Sequence, residues 1–172
     1  DPEARVRFQL LLALGSSESP AARAAHTRLL QRDLEDRWVQ IAALSAGSDR
    51  AVAWLETAPI DRRTDARAGF LRLVGSVIGA RKKDTEVRRV LQKVAAARDP
   101  GAEWWRSAML EGLAEVRPRL AGMETVLLEI FRTPAAPVRL AALRLLERAG
   151  RPPDRAGLLD HRGHAASPRE LA

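Results

Sequence analysis

Glu103, Trp104, Trp105 and Arg106 stand side by side in this 172-residue sequence. Two indoles beside a guanidinium are side chains that can stack a base or hold a flipped nucleotide. Trp38 lies 66 residues before Trp104, with Leu71 midway between them. Trp54 lies apart from these, on a short helix of its own. An aliphatic residue in the shared slot points the other way, to large packing anchors at Trp38 and Trp104. Between Arg62 and Arg98 the chain carries eleven cations, against Asp65, Asp84 and Glu86 with Asp61 adjoining. Arg62, Arg63, Arg67, Arg81, Lys82, Lys83, Arg89 and Lys93 form the candidate interaction surface. Arg89 and Lys93 are four apart and share a helix face. A polyanion or an acidic domain would suit this surface, and phosphate contacts would make binding steeply salt-dependent. A plain solvated face that maintains solubility is the simpler account of the same charge. Arg7, Arg106 and Arg139 each follow a large apolar residue. They either line a binding face or bridge to a turn aspartate through the planar fork of donors. His161 and His164 are three apart, but Gly163 lies between them and carboxylates are sparse nearby, so the spacing is weak for a metal. His26 has no evident partner.

Several chemistries are excluded within this sequence. It has no cysteine, so disulfides, thiolate zinc sites, cysteine nucleophiles and paired-cysteine haem attachment are absent. No glycine-rich phosphate loop, nucleophile elbow or His-Glu-x-x-His occurs. The carboxylates are scattered, with no pair set apart in an apolar context. No catalytic residue, cofactor or metal ligand is assigned. No run of 18 apolar residues occurs, so no membrane insertion is expected. The formal net charge is +7, and all but three of the 29 basic residues are arginine. Abundant arginine and alanine also follow from GC-rich coding, which weakens the charge as a sign of nucleic acid. The start at Asp1, without a signal peptide, reads as an excised or processed segment.

Positioning falls to a phrase with a 33-residue period. Val6, Val39, Arg72, Trp105 and Val138 are evenly spaced. Five residues on stand Leu11, Leu44, Val77, Leu110 and Leu143, which with Trp38 and Trp104 are the expected repeat-packing residues. Three residues on stand Gln9, Ala42, Gly75, Ala108 and Ala141, mostly small. Units of this length cannot bury an apolar face alone and must stack. Helical spacing marks Val6–Gly15, Pro20–Gln31, the segment around Val39, Asp49–Thr57, Asp65–Ile78, Glu86–Ala97, the segment around Trp105, Met123–Arg132 and the segment around Val138. Asp1-Pro2, Asp33, Asp99-Pro100 and Thr133-Pro134 read as helix starts. The expectation is an all-α solenoid of about four to five helix pairs over residues 1–150. Residues 151–172 read as a terminal cap, linker or frayed tail, with a short helix or turn near Arg155–Leu159.

The phrases Asp1-Pro2…Val6-Arg7…Leu14-Gly15, Asp33…Trp38-Val39, Asp99-Pro100…Trp105-Arg106 and Pro137-Val138-Arg139…Ala142-Leu143 resemble HEAT-type repeats. The third unit departs, with Arg72-Leu73 in place of Val-Arg. The likeness implies a right-handed superhelix that serves as a non-catalytic scaffold or spacer for flanking domains or another protein chain. A narrower likeness is to the helical-repeat region of planctomycete–verrucomicrobial multidomain haem-binding, dehydrogenase-like proteins. It implies an exported, periplasmic multidomain setting and no activity for these residues. The alternative is a nucleic-acid-binding module similar to HEAT-like DNA glycosylases, which place an aspartate among aromatic residues; Glu103 to Arg106 echo that set.

Overall fold

A computed structural model describes residues 3–57 and 60–149. Among the described residues the chain is all-α, with no strand. The helices are α1 (Ala4–Gly15), α2 (Pro20–Arg32), α3 (Arg37–Ala46), α4 (Ala51–Thr57), α5 (Asp65–Ala80), α6 (Asp84–Ala96), α7 (Glu103–Glu115), α8 (Glu124–Phe131) and α9 (Ala136–Arg148). A 3-10 turn, Ser48–Arg50, leads into α4. Each helix lies within a few residues of its expected place. The short element near Arg155–Leu159 falls outside the described residues.

The helix starts need correction. Asp33 is the C-cap of α2, and the N-cap of α3 is Asp36, whose Oδ1 accepts from the Trp38 N–H at 2.8 Å. The N-cap of α7 is Ala102, and that of α9 is Ala135 with proline in its first turn. Asp99 and Thr133 therefore sit upstream in the turns. Thr64 is a true cap that the proline rule missed, its hydroxyl accepting from the Arg67 N–H at 3.2 Å.

The odd-numbered helices lie against one another in chain order: α1 on α3, α3 on α5, α5 on α7 and α7 on α9. On the other side α4 meets α6 and α6 meets α8. One continuous core runs from Leu11 to Leu146. Leu11, Leu44, Leu110 and Leu143 are buried, and Val77 is half-buried against that core. Burying each such leucine contributes about 1.5–3 kcal/mol. Ala42, Gly75, Ala108 and Ala141 are buried as well, whereas Gln9 is exposed. The small residues permit close helix contact: a Cβ on Gly75 would lie 2.5 Å from the Met109 carbonyl oxygen. Gly112 returns the approach, since a Cβ there would strike the Arg72 carbonyl group.

Candidate functional site

The candidate cations divide by what they touch. Arg62 and Arg63 are exposed in the turn before α5. Arg67, one turn further on, is folded inward, with Nε 3.1 Å from Glu35 Oε1 and Nη1 2.8 Å from Asp61 Oδ1. At the other end of α5, Arg81 Nε lies 2.8 Å from Glu86 Oε2, and Lys83 Nζ lies 3.4 Å from Glu86 Oε1. Lys82 is exposed in the left-handed region, with φ 54°. Arg89 pairs with Glu56 of α4, and Lys93 Nζ donates to the Leu55 carbonyl at 2.7 Å. Burial holds the Lys93 ammonium below the usual lysine range, with the Glu56 charge opposing that shift. Arg62–Arg63 and Arg81–Lys83 flank a sixteen-residue helix, so about 24 Å separates them. The eight cations are thus divided between the two ends of α5 and the face of α6; Arg67, Arg81 and Lys93 are half-buried on their partners, and Arg89 pairs with Glu56 at the surface.

Arg7 and Arg106 of the repeat phrase reach the turn before the next odd helix, whereas Arg139 holds the turn before its own helix. Arg106 is buried; its Nε donates to the Val94 carbonyl at 2.9 Å and its Nη1 to Thr133 Oγ1 at 3.1 Å. Burial lowers its pKa from the usual arginine value. Arg7 Nε lies 3.5 Å from Asp33 Oδ2. The Arg32 hydrogen bond, first, and the Arg32 and Arg7 charges hold the Asp33 carboxyl below its ordinary range, against its own partial burial. Arg139 Nη1 donates to the Thr133 and Pro134 carbonyls at 3.0 and 2.9 Å. Sequence reading missed a fourth member, Gln40, which is buried and donates from Nε2 to Leu34 O at 2.7 Å and Ala66 O at 2.9 Å. The signal was present, because 40 − 7 is the same 33 residues that separate the phrases.

Trp38 corrects the packing assignment. It is 67% exposed, whereas Leu71 is buried and Trp104 is half-buried against the core. The slots of Trp38 and Leu71 match in residue count but not in place along their helices, whereas Trp104 is the second residue of α7 as Trp38 is of α3. Trp38 is the second residue of α3, and Leu71 is the seventh of α5. With Val39, Ala42 and Ala43 turned inward, Trp38 is left on the outside.

Trp104, Arg63, Asp99 and Glu103 line an open cleft of about 740 Å³ between the turn before α5 and the start of α7. The cleft also takes in Asp61, which a hydrogen bond from its own backbone and the Arg67 contact keep below the usual aspartate range. This is the one place where an indole, a free guanidinium and carboxylates meet around open space among the cavities described. A second hollow, of about 320 Å³, lies over α3 and α5 between Glu35, Arg37 and Arg72.

His26 is fully buried, stacked on Trp54 with ring centroids 5.5 Å apart. Neither ring nitrogen has a hydrogen-bond partner. Desolvation first, and the Arg50 charge second, push its pKa down to about 4, so the ring is neutral at pH 7. No group of three or more His, Asp or Glu able to hold a metal occurs among the described residues, and His161 and His164 lie outside them. No helix among the described residues is long and apolar enough to cross a membrane. Comparison with protein-family models, curated proteins and solved structures finds no match to this chain.

Proposed function

We propose that the chain is a HEAT-like α-solenoid of about four to five helix pairs in a right-handed superhelix, acting as a non-catalytic protein-interaction or spacer module within a larger multidomain protein. The observation that carries the reading is a bridge repeated at nearly constant spacing. Arg7 reaches Asp33 and Arg106 reaches Thr133, each in the turn before the next odd helix, and Gln40 reaches Ala66 in the first turn of α5 itself. A side chain reused in this way joins units in series. The odd-on-odd packing in chain order supports the same reading. Polar groups are spent on joining units, which is the expected economy of an array whose broad outer surface meets other proteins.

The nucleic-acid reading rests on one observation, the cleft that brings Trp104 beside Arg63. Titration with single-stranded and duplex oligonucleotides across a salt series separates the two. The interaction-module reading expects no binding at 150 mM salt, on the order of physiological ionic strength. Tight binding that falls steeply with salt and quenches tryptophan fluorescence would overturn it in favour of the second. For the favoured reading, each candidate flanking domain is mixed with this chain and complex formation followed by sedimentation. Failure of all of them to associate, together with substrate turnover by the chain, would end it.

A further inference from the structure

The repeat columns treat α1 differently from α3, α7 and α9; in α5 the same columns hold Arg72, exposed, and Ser76, half-buried. Val39 and Ala43 of α3, Trp105 and Met109 of α7, and Val138 and Ala142 of α9 are all buried. Their equivalents in α1, Val6 and Leu10, are each 44% exposed. Gln9 is exposed where Ala42, Ala108 and Ala141 are buried, and Ala13 is exposed where Ala46 meets Gly15. The stripe Val6, Gln9, Leu10, Ala13 is therefore the seam that an odd helix elsewhere turns toward its neighbour, here without one among the described residues. An end unit built to face water carries a polar outer face. This stripe has no charge in it.

Resting on the solenoid reading above, we propose that this face of α1 docks a further helix pair, one whose facing helix presents a stripe of glycine, alanine or serine. Continuity with the internal seams identifies the occupant. Toward α7, helix α5 offers Gly75 and Gly79, whose missing side chains let Met109, Leu113 and Val116 come close. Toward α3, α1 offers Gly15, where a Cβ would collide with Ala46. A small-residue face is thus what these seams receive, and Val6, Leu10 and Ala13 are shaped for the same approach. A second copy of the chain fits less well. Two half-exposed side chains on one three-turn helix fall far short of the roughly 800 Å² per partner of a standard dimer.

The test uses the intact chain and a probe peptide with the sequence of residues 3–35, held helical by side-chain cross-links on its outer faces and shown to be helical by circular dichroism before mixing, whose α1 carries the face that already receives α3. The probe is isotopically labelled, and amide hydrogen exchange is read in the intact chain alone. Exchange across residues 4–13 is expected to slow at least threefold at saturating probe. Leu10→Lys in the intact chain should abolish that slowing without changing its melting temperature, because Leu10 is half exposed. Unchanged exchange in α1 beside slow exchange in α7 and α9 overturns the docking face alone. Fast exchange along all the odd helices overturns the stacked array beneath it. A probe-free dimer in sedimentation that Leu10→Lys dissociates assigns the face to a second copy and overturns the helix-pair occupant.

Discussion

The α5–α7 and α3–α5 junctions join neighbouring odd helices by opposite means. Between α5 and α7 the contact is broad, and backbone nearly meets backbone at Gly75 and Gly112. Between α3 and α5 it is slight, and side chains span the gap. Gln40 bridges to Ala66, while Glu35 accepts from Thr64 Oγ1 at 2.9 Å and pairs with Arg67. The chain explains the difference. α3 begins 33 residues after α1 and α9 33 after α7, but α5 begins only 28 after α3 and α7 38 after α5, so α5 starts early against the period and does not meet its two neighbours equally. A stack can therefore be continuous in sequence and unequal in strength, tight where side chains are absent and looser where they must reach.

Breaking the tight junction should have the largest effect. Gly112→Ala places a Cβ against the Arg72 carbonyl, including 2.8 Å from its carbon, and neither backbone can give. We expect a loss of about 3 kcal/mol, the upper end of overpacking costs. Equilibrium urea unfolding checks it, and a loss under about 1 kcal/mol would mean that α5 and α7 are not in backbone contact. The first half of the molecule should respond instead to acid. His26 has a folded pKa of about 4 against 6.5 unfolded, so below pH 6.5 the unfolded chain takes a proton that the fold refuses. Stability is complete above that point, falls as pH drops from 6.5 toward 4, and levels off below. The total loss is up to about 3 kcal/mol, from roughly 1.4 kcal/mol per unit. Urea midpoints measured between pH 7 and pH 4 should trace this slope. A His26→Leu variant should flatten it, and an unchanged slope in that variant would assign the acid sensitivity elsewhere.

The looser junction should lose less. Gln40→Leu removes both donors from the Leu34 and Ala66 carbonyls while keeping the volume filled, at a cost of about 1–2 kcal/mol. The sharper measurement is exchange at the α5 amides near Ala66. They should open faster in this variant, while those of α7 and α9 stay slow. Uniform acceleration would show that the two junctions unfold as one.

The helices were legible because apolar spacing is local, and the glycine at 75 was legible because it fell in a small column. Three features were not. Trp38 was misread because a shared slot does not fix what covers it: Trp38 and Trp104 are each the second residue of their helix, yet only Trp104 packs against the core. The pairing inside the basic stretch was only partly legible: Glu86 lies within five residues of Arg81 and Lys83, but Glu35 lies 32 residues from Arg67 and Glu56 lies 33 from Arg89. Charge shows in a sequence, but neutralisation by a distant segment shows only in the folded chain. Gln40 escaped because an amide drew no attention among arginines, although only its place in the column mattered. The cleft at Trp104 was half legible: the run from Glu103 to Arg106 was visible, but Arg63 comes to it across a different turn.

Gly69 sharpens the comparison from the other side. It sits in α5 on the same helix as Gly75, yet a Cβ there would meet nothing within 4 Å. Glycine in a helix interior costs about 1 kcal/mol relative to alanine, mainly by leaving the unfolded chain too much freedom. At Gly75 close contact with α7 compensates for that cost, but Gly69 has no such contact. Gly69→Ala should therefore stabilise the chain by about 0.5–1 kcal/mol, whereas Gly75→Ala should destabilise it. Opposite signs for one substitution, two turns apart on one helix, cannot come from helix propensity. They follow only if the side of α5 at Gly75 is pressed against another backbone and the side at Gly69 is open. Thermal melts of the two variants decide it: a shift of the same sign in both would show that glycine's place in α5 owes nothing to the α7 contact.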